Sequence, residues 1–401
     1  MKKKIKKSLV YLFVSIFVLF LFNAYFNLIL PIKPIGFPTM INVPALPKNV
    51  SWPISGQSAV GIIGENYIIS HNSQKPSQTA STAKLITILS VLKVRPLSLN
   101  SSGPIITITQ QDMNIYSRYV KEQGSVVPVQ LGERLSQYQV MQAMLLPSAN
   151  NLADALAIWA FGSLTNYANY ANNLLKLDGI HQTHVGKDAS GLDPSTTSTA
   201  TDLVKIGEIA IQNPVIAQIV ATKQVNNFPI VGTFSNLNFL LGQDGVIGIK
   251  TGNTDQAGGV FVSASVKTIN GKPLTLVTAV MGTKNLMSAL TSSSTLINSI
   301  QADFMKQTLL SSNQVVAYFK LPWGQKIGVH VKNAVTGYSW IKDYQTILLT
   351  INSIKVRTNI NQVIGSASLK KDLYNDFSTH RLYLTSNIKP PLKWLLFHVN
   401  Y

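Results

Sequence analysis

The chain has 401 residues with 34 Lys+Arg against 16 Asp+Glu, a net charge of +18, no cysteine and 46% hydrophobic residues. That is length enough for two domains and an appendage without covalent staples, and the lack of cysteine excludes a disulfide framework, a thiolate nucleophile, an iron–sulfur cluster and a cysteine-ligated zinc. Only 12% of residues are charged, which excludes a disordered polyelectrolyte, while the surplus of +18 calls for an anionic neighbour: nucleic acid, a lipid surface or an acidic polymer.

Five of the positive charges, Lys2, Lys3, Lys4, Lys6 and Lys7, precede an apolar run, LVYLFVSIFVLFLFNAYFNLIL, that lacks Asp, Glu, Lys and Arg. A bilayer core needs about 20 such residues as a helix. Lysines on its N-terminal side keep that end cytoplasmic and send the remainder outside. A cleaved signal would have an apolar core of about 7 to 15 residues and a small-x-small site. The nearest candidate, Phe22-Asn23-Ala24, has a bulky first residue, so residues 1–30 are expected to be an uncleaved membrane anchor rather than a signal segment. The expected location is the outer face of the cytoplasmic membrane. Removing the five leading lysines from the net +18 leaves +13 on the exported part, with no zinc-finger or RNP signature, so no nucleic-acid partner is expected. Anionic lipids and wall polymers suit the remaining charge.

Residues 31–56 hold Pro31, Pro34, Pro38, Pro44, Pro47 and Pro53 and read as a semi-extended linker. A hairpin follows, SAVGIIG and NYIIS about a Gly64-Glu65 turn. Ser81 then opens a helical run whose buried stripe is Leu85, Ile86, Ile88, Leu89 and Leu92. Further helical patterns cover 136–146, 151–161, 166–177 and 201–211. Strand patterns return as GVIGIK, GGVFVSASV and LTLVTAVMG, the last two joined by the Asn270-Gly271 hairpin signal, and a final helix is expected over 291–309. Strands, then helices, then strands predict an α+β domain over 57–310, a mixed sheet with a helical insertion. From Asn313 short runs such as KIGVHV and QTILLTI predict a small all-β domain over 311–401.

Three short motifs could carry chemistry. In Ser81-Thr82-Ala83-Lys84 the i, i+3 spacing puts an amine beside a hydroxyl on one helix face, and a lysine of lowered pKa can take the proton a serine must lose to attack. Pro147-Ser148-Ala149-Asn150 places a hydroxyl and an amide two residues apart on a loop between helices. Lys250-Thr251-Gly252, on a strand, offers an ammonium and a hydroxyl to a carboxylate, with a glycine that permits close backbone approach. Taken singly, the first two are also what helix caps look like, and the third an ordinary strand end. Their joint occurrence in this order overturns those readings. His181 and His184 lack a third ligand at matching spacing, so no metal is expected, and nothing calls for a cofactor.

The order Ser-x-x-Lys, Ser-x-Asn, Lys-Thr-Gly resembles the signature of β-lactamases and penicillin-binding proteins. The chain is similar to the serine-type D-alanyl-D-alanine carboxypeptidases, the low-molecular-mass penicillin-binding proteins, over most of 57–310. Gly132-Glu133, Gly191-Leu192-Asp193, the Ser198 to Leu203 run and Thr254-Asp255-x-Ala257-Gly258 add to the likeness. The Asn361 to Gly365 run resembles that family's C-terminal β-domain. The resemblance implies a β-lactamase/transpeptidase-like domain. It assigns Ser81 as nucleophile, Lys84 as its base, Ser148 as proton relay, Asn150 as substrate-orienting amide, and Lys250 and Thr251 as the hold on the D-alanine carboxylate. The N–H groups of Ser81 and of Asn253, the residue after Gly252, would form the oxyanion hole. Peptidoglycan stem peptides become the expected substrates and β-lactam antibiotics covalent inhibitors.

Two departures stand out. Asn151 follows the Ser-x-Asn motif where the family commonly has Asp. From 283 to 302 there is only Lys284 where many members carry an arginine, so the carboxylate grip falls on Lys250 and Thr251. A β-lactamase needs a glutamate for deacylation, and between Asn150 and Lys250 the sequence offers only Glu208, inside a helical pattern. An idle wall-binding module would not need the nucleophile and base. D,D-endopeptidase action on cross-linked stems stays open, since it cleaves an equivalent bond.

Overall fold

The computed structural model describes residues 2–44, 50–64, 68–269, 272–303, 305–339, 344–369 and 378–397. The chain forms two compact units, 49–303 and a second made of both chain ends, 1–48 with 304–401.

The first unit is built on a five-stranded antiparallel sheet in the order Val246–Thr254, Gly258–Ile269, Lys272–Thr283, Gln57–Ile62, Ile68–His71. Alternation along these strands serves two faces. Val260, Val262 and Ala264 join the main core with the helical insertion, whereas Phe261 turns the other way onto Ala289, Leu290 and Ile297 of the Leu286–Asp303 helix. On the main-core side the Ala200–Gln212 helix lies close through Gly207, where a Cβ would come within 2.8 Å of Val262 and Val277. The Gly64-Glu65 and Asn270-Gly271 turns include residues outside the described ones, but the strands flanking each pair as expected, to Gly61↔Ile68 and Ile269↔Lys272.

The insertion is wrapped around the Lys84–Val94 helix. Nearly every side of this helix is buried, so it is a core helix rather than a surface one. Packed about it are Gln137–Leu145, Asn150–Phe161, Leu164–Leu177 and Ala200–Gln212. The sequence reading omits the Gln110–Lys121 helix. Its start carries a capping box, in which Thr109 accepts from the Asp112 N–H and the Asp112 carboxylate accepts from the Thr109 N–H at 2.8 Å.

The closing helix differs from expectation. It runs Leu286–Asp303, begun by the Asn285 side chain accepting from the Ser288 N–H, and 305–310 forms a strand instead. That strand, Met305–Leu310, pairs with Val335–Ser339 in the second unit. An apolar run with both periods available is settled by its partner, not by its own pattern.

The second unit holds a seven-stranded antiparallel sheet in the order Pro34–Ile35, Val315–Lys320, Lys326–Val331, Thr379–Leu384, Gly365–Leu369, Tyr344–Ile351, Met40–Pro44. The segment read as a linker therefore contributes both outer strands. Proline lacks a ladder donor and is confined to edges or strand ends; Pro34 lies on one outer strand and Pro44 ends the other. Ahead of them runs the Lys2–Ile29 helix, whose Lys7–Ile29 stretch has a mean hydropathy of 2.3 and is long and apolar enough to cross a membrane. It is compatible with an anchor or a signal. Its last turns face the short Leu392–Phe397 helix, with Asn27 fully buried.

Candidate active site

Ser81 occupies a single 3-10 turn, Ala80–Ala83, that runs into the Lys84–Val94 helix. The sequence predicts one continuous helix from Ser81; the tighter turn comes from the Thr79 carbonyl, which accepts both the Thr82 N–H at 3.3 Å and its hydroxyl at 2.7 Å. Ala80 is held at φ +44°, and Ser148 across the site at φ +66°, in the left-handed region that penalises a Cβ.

Lys84 has no exposed surface. Its Nζ lies 2.8 Å from Ser81 Oγ, 2.7 Å from Asn150 Oδ1, 3.1 Å from the Ser190 carbonyl and 3.4 Å from Ser148 Oγ. Burial pulls its pKa from 10.5 down to about 7, against the opposing effect of Asp188 and Asp154. A neutral amine has two N–H bonds and one lone pair. The Asn150 and Ser190 carbonyl oxygens can only accept, so they take the two hydrogens, and the lone pair is left for the Ser81 hydroxyl proton.

Ser148 and Asn150 come from the junction between the Gln137–Leu145 and Asn150–Phe161 helices, and both are buried. The Asn150 N–H donates to the Ser125 carbonyl at 2.8 Å. Its amide nitrogen lies so close to Gly124 that a Cβ there would approach to 2.7 Å. Asn151 explains its own departure from the family pattern. Its Oδ1 accepts from the Val127 N–H at 3.1 Å while its Nδ2 donates to the Val127 carbonyl at 2.9 Å, a pairing an ionised aspartate cannot make.

Lys250, Thr251, Gly252 and Asn253 lie on Val246–Thr254, the outer strand of the sheet. At Gly252 an added Cβ would meet the Ser81 N–H nitrogen at 3.0 Å and Ala80 Cβ at 3.1 Å, so the strand backbone runs directly against the serine turn. Lys250 is 1% exposed and donates to the Thr251 carbonyl at 2.9 Å. Burial, and then the charge of Lys84, lowers its pKa well below the ordinary value. Ser81, Asn150 and Asn253 line one polar cleft of about 690 Å³. Lys284, exposed on the surface, is not among the residues lining it.

Sequence reasoning missed the charged groups behind Lys84. Asp154 is fully buried on the Asn150–Phe161 helix, where its carboxylate accepts from Arg118 at 2.7 Å, the Tyr119 hydroxyl at 2.8 Å and the Ala189 N–H at 2.9 Å. Asp188 accepts from the Gly191 N–H at 2.8 Å, the Asp193 N–H at 2.9 Å and the Ser190 hydroxyl at 3.0 Å. His181 and His184 stand apart from the cleft lining, and the His184 backbone pairs with Thr197.

Comparison with known proteins bears on this geometry. The family model described as D-alanyl-D-alanine carboxypeptidase, Peptidase_S11, matches residues 58–285, more than half of the chain. An Escherichia coli protein named D-alanyl-D-alanine endopeptidase is 29% identical over 231 residues, covering 56% of this chain and 70% of its own. A Mycobacterium tuberculosis protein named D-alanyl-D-alanine carboxypeptidase DacB2 is 32% identical over 199 residues, 47% of this chain and 62% of its own. The fold matches the crystal structure of the Streptomyces K15 DD-transpeptidase with a TM-score of 0.53, at 22% identity over 64% of this chain and 98% of that one. It also matches a peptidoglycan synthesis regulatory factor (PBP3) from Streptococcus pneumoniae with a TM-score of 0.59, at 17% identity over 85% of this chain and all of that one. The chain is a serine peptidase with the penicillin-binding protein fold and belongs to the D-alanyl-D-alanine carboxypeptidase family.

Proposed function

We propose that this enzyme removes the terminal D-alanine from peptidoglycan stem pentapeptides through an acyl-enzyme on Ser81. The observation that carries the reading is the buried Lys84 amine, 2.8 Å from Ser81 Oγ, with both of its hydrogens engaged elsewhere. As Ser81 Oγ bonds to the carbonyl carbon of the penultimate D-alanine, its proton passes to Lys84 and the carbonyl oxygen becomes an oxyanion. The N–H groups of Ser81 and Asn253 face that charge. Ser148 relays the proton from Lys84 to the leaving nitrogen as the C–N bond breaks and D-alanine departs. Water, giving a proton to Lys84, then attacks the ester carbonyl, and Lys84 passes that proton to Ser81 Oγ as its bond to the acyl carbon breaks. Asn150 orients the peptide amide, Gly252 lets the strand approach, and Lys250 with Thr251 holds the terminal carboxylate. A β-lactam acylates the same serine.

The domain organisation follows: a 1–30 anchor fixes the enzyme to the outer face of the cytoplasmic membrane, and the peptidase unit works on the wall beyond it. D,D-endopeptidase action on cross-linked stems is the second reading, favoured by the name of the Escherichia coli relative. Incubation of the purified chain with a pentapeptide ending in D-Ala-D-Ala and, separately, with a cross-linked dimer distinguishes the two. Free D-alanine from the pentapeptide supports the carboxypeptidase; cleavage of the dimer alone supports the endopeptidase.

A further inference from the structure

The reaction scheme leaves two buried carboxylates unused, although they lie directly behind the base. Asp154 and Asp188 come from a helix and a loop, and between them they accept the N–H groups of Ala189, Gly191 and Asp193 and the hydroxyl of Ser190. Four of the six residues from 188 to 193 are thus tied to these two side chains. The middle of that loop supplies the Ser190 carbonyl that takes one hydrogen of Lys84 at 3.1 Å. Gly191, at φ +75°, presses the loop on the serine turn, since a Cβ there would lie 2.2 Å from the Ala80 carbonyl oxygen.

Asp154 is ion-paired with Arg118 at 2.7 Å, and Asp154 and Asp188 both act on the buried amine of Lys84. From the remaining elements, the cluster is faced by Tyr119, Tyr167, Glu122, Lys187 and Asp193. Burial raises the pKa of both tyrosines, so they stay neutral; Glu122 acts on Arg118, and Lys187 on Asp193.

We propose that Asp154 and Asp188 are positioning residues for the base. They fix the Ser190 carbonyl that aims the Lys84 lone pair at Ser81, and their charge sets the proton affinity of Lys84. Burial alone would leave the amine too weak a base to hold the serine proton during attack; the two carboxylates restore part of that basicity. Asp154 itself is raised to about 6, first by burial and then by Asp188, so it carries its charge at neutral pH. The inference rests on Lys84 being the base.

The test is the pH dependence of Ser81 acylation by a fluorescent penicillin in the full chain, with wild type and Asp154→Asn compared. Asparagine keeps an acceptor for the Ala189 N–H and removes the charge. The wild type is expected to lose acylation below about pH 7 as Lys84 takes a proton, and the variant to lose it about one pH unit lower. At pH 6.5, where Asp154 of the wild type still carries its charge, the variant then retains about three times the wild-type fraction of its own plateau rate. A wild-type profile with no acid limb defeats the reading of Lys84 as base; a wild-type limb that does not move in Asp154→Asn defeats only the role given to the carboxylates. If Asp154→Asn does not fold, Tyr119→Phe carries the test. Losing the hydroxyl donor makes Asp154 easier to protonate, so the limb is expected to move the same way by less, and an unmoved limb overturns the proposal.

Discussion

Replacing Lys84 by methionine keeps a long unbranched side chain in the same space and removes a buried ionisable group. In the folded protein the amine titrates at about 7 rather than 10.5. Holding it neutral in the fold at pH 7 costs about 5 kcal/mol relative to an unperturbed lysine. The hydrogen bonds to Asn150 and Ser190 offset part of this, about 1 kcal/mol each. The variant is therefore expected to be at least as stable as wild type at pH 7, and inactive. The pH dependence is the sharper quantity. Between about 7 and 10.5 the unfolded chain holds a proton on Lys84 that the folded chain has lost, so this group makes wild-type stability rise with pH through that window and adds no slope below it. The methionine variant lacks this slope. Its advantage is expected to shrink by about 2 kcal/mol between pH 7 and pH 9. Urea unfolding of the detergent-solubilised chain, followed by amide exchange within the Lys84–Val94 helix, measures it. A stability difference that stays constant from pH 7 to pH 9 would mean that the folded amine is protonated, and the base assignment fails.

Other outcomes follow from single contacts. Gly191→Ala, with a Cβ 2.2 Å from the Ala80 carbonyl oxygen and a left-handed φ, is expected to displace the serine turn and cut penicillin acylation at least tenfold, read by gel fluorescence. Asn151→Asp loses the donor to the Val127 carbonyl and is expected to cost about 1–3 kcal/mol in thermal unfolding while leaving the acid limb of acylation in place. A chain beginning at residue 49 lacks both outer strands of the second unit's sheet. Limited proteolysis is expected to digest its 304–401 part rapidly, whereas a chain beginning at residue 31 resists.

The three motifs were legible because each combines a reactive side chain with short spacing on one element, and the fold brings Ser81, Ser148 and Asn150 within hydrogen-bonding reach of the Lys84 amine. Asp154, Asp188, Arg118 and Tyr119 were not legible. They are polar residues spread over three elements, and only tertiary packing makes them a cluster; the Thr109 to Asp112 capping box is the local signal for the helix that carries Arg118 and Tyr119. Composition misled at 31–56, since prolines typical of a spacer are equally at home on sheet edges, and edge pairing is a long-range contact with strands near residues 318 and 345. The closing helix ends earlier than its apolar pattern predicts for a similar reason: the pairing of Met305–Leu310 with Val335–Ser339 overrides an ambiguous local pattern.

The central claim is the acyl-enzyme on Ser81. The full chain in detergent is incubated with labelled penicillin, and the adduct is mapped by mass spectrometry; in parallel, D-alanine released from a pentapeptide ending in D-Ala-D-Ala is measured for wild type and Ser81→Ala. The expected result is one adduct, on the peptide containing Ser81, with D-alanine release by wild type and none by the variant. An adduct elsewhere, or undiminished D-alanine release by Ser81→Ala, would contradict it.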